Sequence, residues 1–289
     1  MSKAPRLMAS YFTIAGNVVP LAGEVISPWS LEDRARAAAK AGFAGIGLIT
    51  QELDGLVARL GWSGIKNVIH DAGLEYIEVE VLLDWFTDGE RRKASDLDRA
   101  KLLTAAEKLG LYQIKCGGDI SGSVWPVERM TEEFTKLSRQ VGDAGSMITV
   151  EMFPASNIRD LKTAFAVVSG ANPKHGGVLL DIWHVTRGNI PYADIATVPA
   201  QYIRHIELDD GTRELVGTIM EDTLLRRKAP GDGEWDVPGY LAAIQATGYD
   251  GLYGIEILSD DWRKLSLDEA ARRAYSATMR EFAKVRAGG

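Results

Sequence analysis

Four residues in the second half of the chain carry side chains that could hold a cation and move protons: Glu151 in ITVEMF, Asp181 in LLDIW, His205 in IRHIEL and Glu256 in YGIEIL. Each stands near the end of a β-rich run. Three carboxylates with one imidazole form a mixed oxygen and nitrogen donor set, harder than a thiolate cage and suited to a divalent first-row ion or Mg²⁺. Mn²⁺ is the expected ion, with Mg²⁺, Co²⁺ or another divalent ion as alternatives. A single strand-end acid could equally be paired with an arginine. Three in one mouth would repel one another unless something cationic joined them, and one divalent ion satisfies all of them.

Eight apolar or β-rich segments recur along the chain, at 7–14, 45–50, 76–83, 112–116, 147–153, 177–183, 202–208 and 252–257. Helical stretches lie between them. Ser30 can cap LEDRARAAAKAGF, with Glu32 and Asp33 in its first turn, and Ser95 precedes DLDRAKLLTAAEKLG. Strands alternating with helices imply parallel pairing through right-handed crossovers, and eight such units predict a single (β/α)8 barrel spanning residues 1–289. No GxGxxG follows the first strand, as a dinucleotide site would require. In a barrel the C-terminal ends of the strands converge on one mouth, so the four candidates become neighbours. The connection from Asp209 to Trp235 is far longer than an ordinary βα loop and belongs to that same face. The segment LSDDWRKLSL after the last strand adds to the rim.

Hydrophobic residues make up 46% of the 289-residue chain and charged ones 25%, enough apolar material for a substantial core. The formal net charge is −7 and the basic residues are scattered, which argues against a nucleic-acid surface. The single cysteine, Cys116, excludes an internal disulfide, and the start of the chain, Met1 to Arg6, has no leader pattern. A cytoplasmic protein with no membrane partner is expected.

The order Glu151, Asp181 with His184 three residues on, His205 and Glu256 resembles the sugar phosphate isomerase/epimerase family of xylose isomerase-like TIM barrels. The segment PGDGEWDVPGYLAAIQATGYDGLYGIEI, 230–257, is similar to that family's closing signature. The resemblance implies that Glu151 and Glu256 are both metal ligands and proton-transfer groups, that Asp181 and His205 complete the metal shell, and that His184 and Arg213 contact substrate. Arg226 or Arg227 could take the place of Arg213. The chain departs from the family pattern at Gly47, where many relatives carry a glutamate. A homo-oligomer is an expectation by analogy.

A divalent ion in such a mouth can chelate a carbonyl and the adjacent hydroxyl of a sugar, making the neighbouring C–H acidic enough for a glutamate to remove its proton. The resulting enediolate leads to epimerisation when the proton returns to the opposite face, and to isomerisation when it returns to the adjacent carbon. Loss of a β-hydroxyl instead makes the enzyme a lyase, similar to inosose or 3-dehydroshikimate dehydratases or to keto-glycoside cleaving enzymes. A metal-dependent isomerase or epimerase of a keto sugar or related polyol is the leading reading, with the lyase as its alternative.

Other signals are weaker. Lys115 points toward the mouth if Gln113 does, and could hold an oxyanion. Trp85, Phe86, Phe153 and Trp183 are either core or pocket wall, with Trp183 the best wall candidate. Glu207, Asp209 and Asp210 either hold the long loop or reach a ligand. GGDISGS (117–123) lacks the Walker lysine and reads as a loop. His70 and His175 lie off the cluster.

Overall fold

The computed structural model describes residues 4–21 and 23–288; of the opening segment, residues 1–3 lie outside these. Eight parallel strands close into a barrel in sequence order. They are β1 (Arg6–Ala9), β2 (Gly45–Ile49), β3 (Tyr76–Leu82), β4 (Gln113–Gly117), β5 (Ile148–Glu151), β6 (Gly176–Asp181), β7 (Ile203–Leu208) and β8 (Leu252–Ile255). Around them run α1 (Leu31–Ala41), α2 (Leu53–Asp71), α3 (Gly89–Ala105), α4 (Val127–Asp143), α5 (Leu161–Ala171), α6 (Ile182–Arg187), α7 (Tyr192–Ile195), α8 (Ile219–Leu225), α9 (Val237–Ala246) and α10 (Leu267–Gly288). The predicted (β/α)8 barrel is the observed architecture. No described helix is long and apolar enough to cross a membrane.

Local sequence explains most element boundaries. Ser30 caps α1 by accepting a hydrogen bond from the Asp33 N–H at 3.1 Å, and Gly42 ends it in the left-handed region at φ 111°. Ser95 is not a cap. Helix α3 starts six residues earlier because GERRK continues the helical pattern, and the buried Ser95 hydroxyl donates to the Leu83 carbonyl at 2.6 Å. The first predicted strand is also shorter than expected, since Tyr11–Thr13 turns into a 3-10 helix.

The apolar strand positions alternate with polar ones, and the two sets face opposite ways. Ile77, Val79, Ile114, Cys116, Val150, Leu180 and Ile206 join one core with the surrounding helices. Their neighbours Glu78, Glu80, Gln113, Lys115, Asp181, His205 and Glu207 are buried as well, and they meet across the barrel interior. Helices therefore pack on hydrocarbon while the lumen is filled with charge.

Two glycines make room for this arrangement. A Cβ on Gly254 would lie 2.7 Å from His205 Nε2 and 3.0 Å from Glu207 Cγ, so the bare backbone of β8 admits both β7 side chains. A Cβ on Gly47 would lie 2.6 Å from the Tyr11 backbone nitrogen and 3.1 Å from Ser10 Cα. Backbone from the β1 loop thus fills the space a side chain at position 47 would need, and Glu80 on the next strand brings a carboxylate to the cavity. Gly47→Ala is expected to lower stability by roughly 1–3 kcal/mol through overpacking against main chain that has little room to retreat. Urea denaturation checks this; an unchanged midpoint would show that the β1 loop yields.

Candidate active site

The stretch LLDIWHV brings one strand and one helix to the site within a few residues. Strand β6 ends at Asp181, whose carboxylate accepts from the Trp183 N–H at 2.7 Å and so caps α6. One turn of that helix returns His184 to the mouth, with Nε2 2.9 Å from Glu151 Oε1 and 3.5 Å from Asp181 Oδ2. Glu151 and His184, singled out on different segments, are in contact.

The strand register decides which residue of β7 stands beside Asp181. Asp181 pairs with Glu207, while His205 pairs with Leu179, two residues lower. Donor oxygens of Glu151, Asp181, Glu207 and Glu256 accordingly lie within 4.8 Å of one another. His205 falls into a second group with Glu78 and Glu207, its Nε2 3.5 Å from Glu78 Oε2. Three of the four expected ligands are therefore gathered with Glu207, and His205 lies one layer deeper.

Two buried cations thread this acid cluster. Lys115, 1% exposed, is held against Glu207, with Glu78 and Glu80 each at 3.3 Å and Glu256 at 3.9 Å. Arg227 Nη1 donates to Asp181 and Asp209, both at 2.7 Å, and stands 3.1 Å from Glu256. Arg213 is exposed on the long loop and does not line the cavity, whereas Arg227 does. Arg226 is exposed too.

Among the described residues, seven carboxylates (Glu78, Glu80, Glu151, Asp181, Glu207, Asp209 and Glu256) face only these two fixed cations. The imbalance appears in their titration. Burial pushes Glu80 up to about 8 against the pull of Lys115, with Glu256 and Glu78 adding repulsion. Burial also raises Glu256, even with Arg227 beside it. Asp209 is raised by burial and by the Asp181 charge. Burial likewise works against ionised Asp181, but Arg227 and His184 outweigh it and hold that carboxyl low. His205 is driven down to about 4, chiefly by burial, and so is a neutral imidazole. The lysine stays charged because four carboxylates overcome its burial.

A divalent ion fits this set of donors. Glu207 Oε2 and Asp209 Oδ1 are buried without a hydrogen-bond partner, and the surplus of negative charge is what a dication would neutralise. An all-carboxylate group suits a hard ion.

The cavity above the cluster has a volume of about 190 Å³ and is lined by Glu80, Glu151, His184, Arg227 and Glu256 together with apolar side chains that include Phe153. Trp183 stands behind this wall. Its Nε1 donates to Asp222 at 3.0 Å, and the Arg227 guanidinium lies 5.4 Å from its ring centroid. Trp85 and Phe86 are core residues. In HIELDD the three acids part company: Glu207 joins the site, Asp209 grips Arg227, and Asp210 accepts from the N–H groups of Gly231, Gly233 and Trp235 to tie the long loop. GGDISGS is a loop in which Asp119 binds Arg91 and Trp125.

Lys115→Met leaves several buried carboxylates unneutralised and is expected to cost about 3–5 kcal/mol in metal-stripped protein. Part of that loss should return on adding Mn²⁺; thermal denaturation with and without the ion reads both, and full stability without metal would deny Lys115 this role. The Glu80 carboxyl gives a pH test. Folded chain holds its proton up to about pH 8, whereas the unfolded chain releases it near 4.5, so stability falls as pH rises through that window and levels off above it. His205 acts with the opposite sign, but only between about 4 and 6.5. From pH 6.5 to 8 the melting temperature of metal-stripped protein should therefore fall, and Glu80→Gln should flatten the slope. Parallel curves would mean that Glu80 titrates normally.

Comparisons with known proteins agree with this barrel. The family model described as xylose isomerase-like TIM barrel matches residues 35–281. The chain is 23% identical over 241 residues to a 3-dehydroshikimate dehydratase of Pseudomonas aeruginosa, covering 81% of this chain and 37% of that protein. It is 26% identical over 149 residues to an inosose isomerase of Bacillus subtilis, covering 50% of this chain and 52% of that one. It thus spans well under two thirds of the length of either relative. Among solved structures, the IOLI protein with a bound zinc atom superposes with a TM-score of 0.83 at 17% identity, covering 97% of this chain and 99% of that one. The chain belongs to the xylose isomerase-like TIM-barrel family.

Proposed function

We propose that this protein is a divalent-metal-dependent isomerase or epimerase acting on a keto sugar or related polyol, through removal of a proton beside a carbonyl. One observation carries the reading: Glu151 and Glu256, on β5 and just past β8, line one cavity, and their donor oxygens lie within 4.8 Å of one another in a group with Asp181 and Glu207. Relatives named as isomerases and dehydratases support a reaction at a carbonyl-bearing small molecule.

Glu151, Asp181, Glu207 and Glu256 would hold the ion; the register favours Glu207 over His205 as the fourth ligand. Mn²⁺ is the proposed ion, because carboxylate oxygens suit hard dications. Bound there, it would supply charge to balance the acids and to polarise a carbonyl. The remaining work belongs to side chains. Glu151, oriented by His184, would take a proton from carbon on one side of the cavity. Glu256, oriented by Arg227, would return a proton from the other side. Lys115 keeps Glu207 and its neighbours from repelling one another apart. The cavity would hold the substrate, with Arg227 replacing Arg213 as the arginine nearest to it.

Dehydration at the same site is the second reading, favoured by the relatives named 3-dehydroshikimate dehydratase. An enone absorbing in the ultraviolet would accompany it. Metal-loaded protein incubated in D₂O with a panel of ketoses, inososes and keto-glycosides should incorporate deuterium at carbon. Glu151→Gln and Glu256→Gln should each slow that exchange by about 10²- to 10⁴-fold, and chelation should abolish it until Mn²⁺ is restored. Exchange that persists at full rate in chelated protein would overturn the metal requirement.

A further inference from the structure

Polar and apolar side chains are segregated by depth in the cavity. Most of its polar side chains lie at the inner end: Arg227 is 2% exposed, His184 5%, Glu80 and Glu256 7% each, with Glu151 half-buried above them. The side chains nearest solvent are hydrocarbon: Leu21 is 67% exposed, Ile120 49% and Leu83 38%. Half-buried Phe12, Phe153 and Met220 continue that wall. These residues come from the connections after β1, β3, β4, β5 and β7, so the apolar collar belongs to the mouth as a whole and not to one loop.

A free sugar carries hydroxyls around its whole circumference. Those at the inner end would find carboxylates, an imidazole and a guanidinium, but those at the outer end would lose water to side chains that offer no hydrogen bond. Exposed apolar side chains gathered above a polar floor suit a ligand with the opposite ends. We infer that the substrate is amphipathic: a keto sugar or keto-polyol whose hydroxylated end enters among the acids and whose outer end bears an apolar, aryl-sized substituent seated against Phe12, Leu21, Leu83, Ile120, Phe153 and Met220. This rests on the proposed carbonyl chemistry of the same cavity and names the substrate class within it. The collar is the part of the site that selects the substituted sugar over the free one.

The test compares phenyl and methyl 3-keto-β-D-glucosides, which differ only in the outer group. The phenyl compound should exchange deuterium with a kcat/KM at least about tenfold higher, as expected for burying one ring. Leu83→Asp and Ile120→Asp should bring that ratio close to one. Titration calorimetry on Glu151→Gln, where turnover is suppressed, should give the same preference in Kd. Equal kcat/KM for the two compounds in the unaltered protein would overturn the inference while leaving the carbonyl chemistry intact. Retained binding preference with no exchange in the unaltered protein would instead sink the catalytic reading and keep the collar. Sedimentation showing a dimer that Leu83→Asp and Ile120→Asp dissociate would assign the collar to a second copy of the chain and overturn the inference.

Discussion

The Lys115 ammonium, enclosed by carboxylates from β3, from β7 and from just past β8, is the contact on which the rest of the barrel interior depends. Parallel barrels are ordinarily filled by layers of branched apolar side chains. Here those layers are ionic near the mouth, and burial makes each unpaired charge expensive. Lys115 answers this from below and Arg227 from the side, and both stay charged because the acids around them outweigh the loss of water. Their reach differs. Lys115 is fixed to a strand, whereas Arg227 arrives on the long loop after β7.

This division explains how a strongly acidic interior can remain stable while part of it opens onto the cavity. Glu78 and Glu207 are locked by Lys115 and by the Gln113 amide and Ser10 hydroxyl, which donate to them at 2.7 and 2.9 Å. Glu151 and Glu256 are held more loosely at the cavity surface, each with one main partner. Lys115 and these donors fix the lower acids in place, though Glu207 keeps Oε2 without a hydrogen-bond partner, while Glu151 and Glu256 face the cavity.

The barrel was legible in the sequence because its signal is periodic: eight β-rich runs and capped helices repeat in alternation, and each run falls on a strand. Much of the mouth was legible too, since Glu151, Asp181, His184 and Glu256 interrupt apolar segments at their ends. Glu78 and Glu80 escaped notice, and Glu207 was left open between the loop and a ligand; a different signature would have found them. Glu78 and Glu80 sit two apart in YIEVEVL, and His205 and Glu207 two apart in RHIEL, which is the inward phase of a strand. Read with that phase in mind, Lys115 could also be placed inside, because Gln113 precedes it by two. What the sequence withheld was register, which alone distinguishes Glu207 from His205 as the neighbour of Asp181. The choice among Arg213, Arg226 and Arg227 stayed open for another reason: Arg227 reaches the site from a long connection whose path depends on tertiary contacts such as the bridge from Arg226 to Ser259.

Asp210 sits where that connection leaves the barrel and clasps the backbone where it returns, at Gly231, Gly233 and Trp235, while its own main chain bridges to Lys228. The excursion is therefore a handle closed at its neck by Asp210 and tied to the barrel again through Asp222, Arg226 and Arg227. Because it brings its own guanidinium and part of the hydrocarbon wall, grafting one such handle for another would replace counter-charge and lining in a single step, a natural unit of divergence among barrels of this kind.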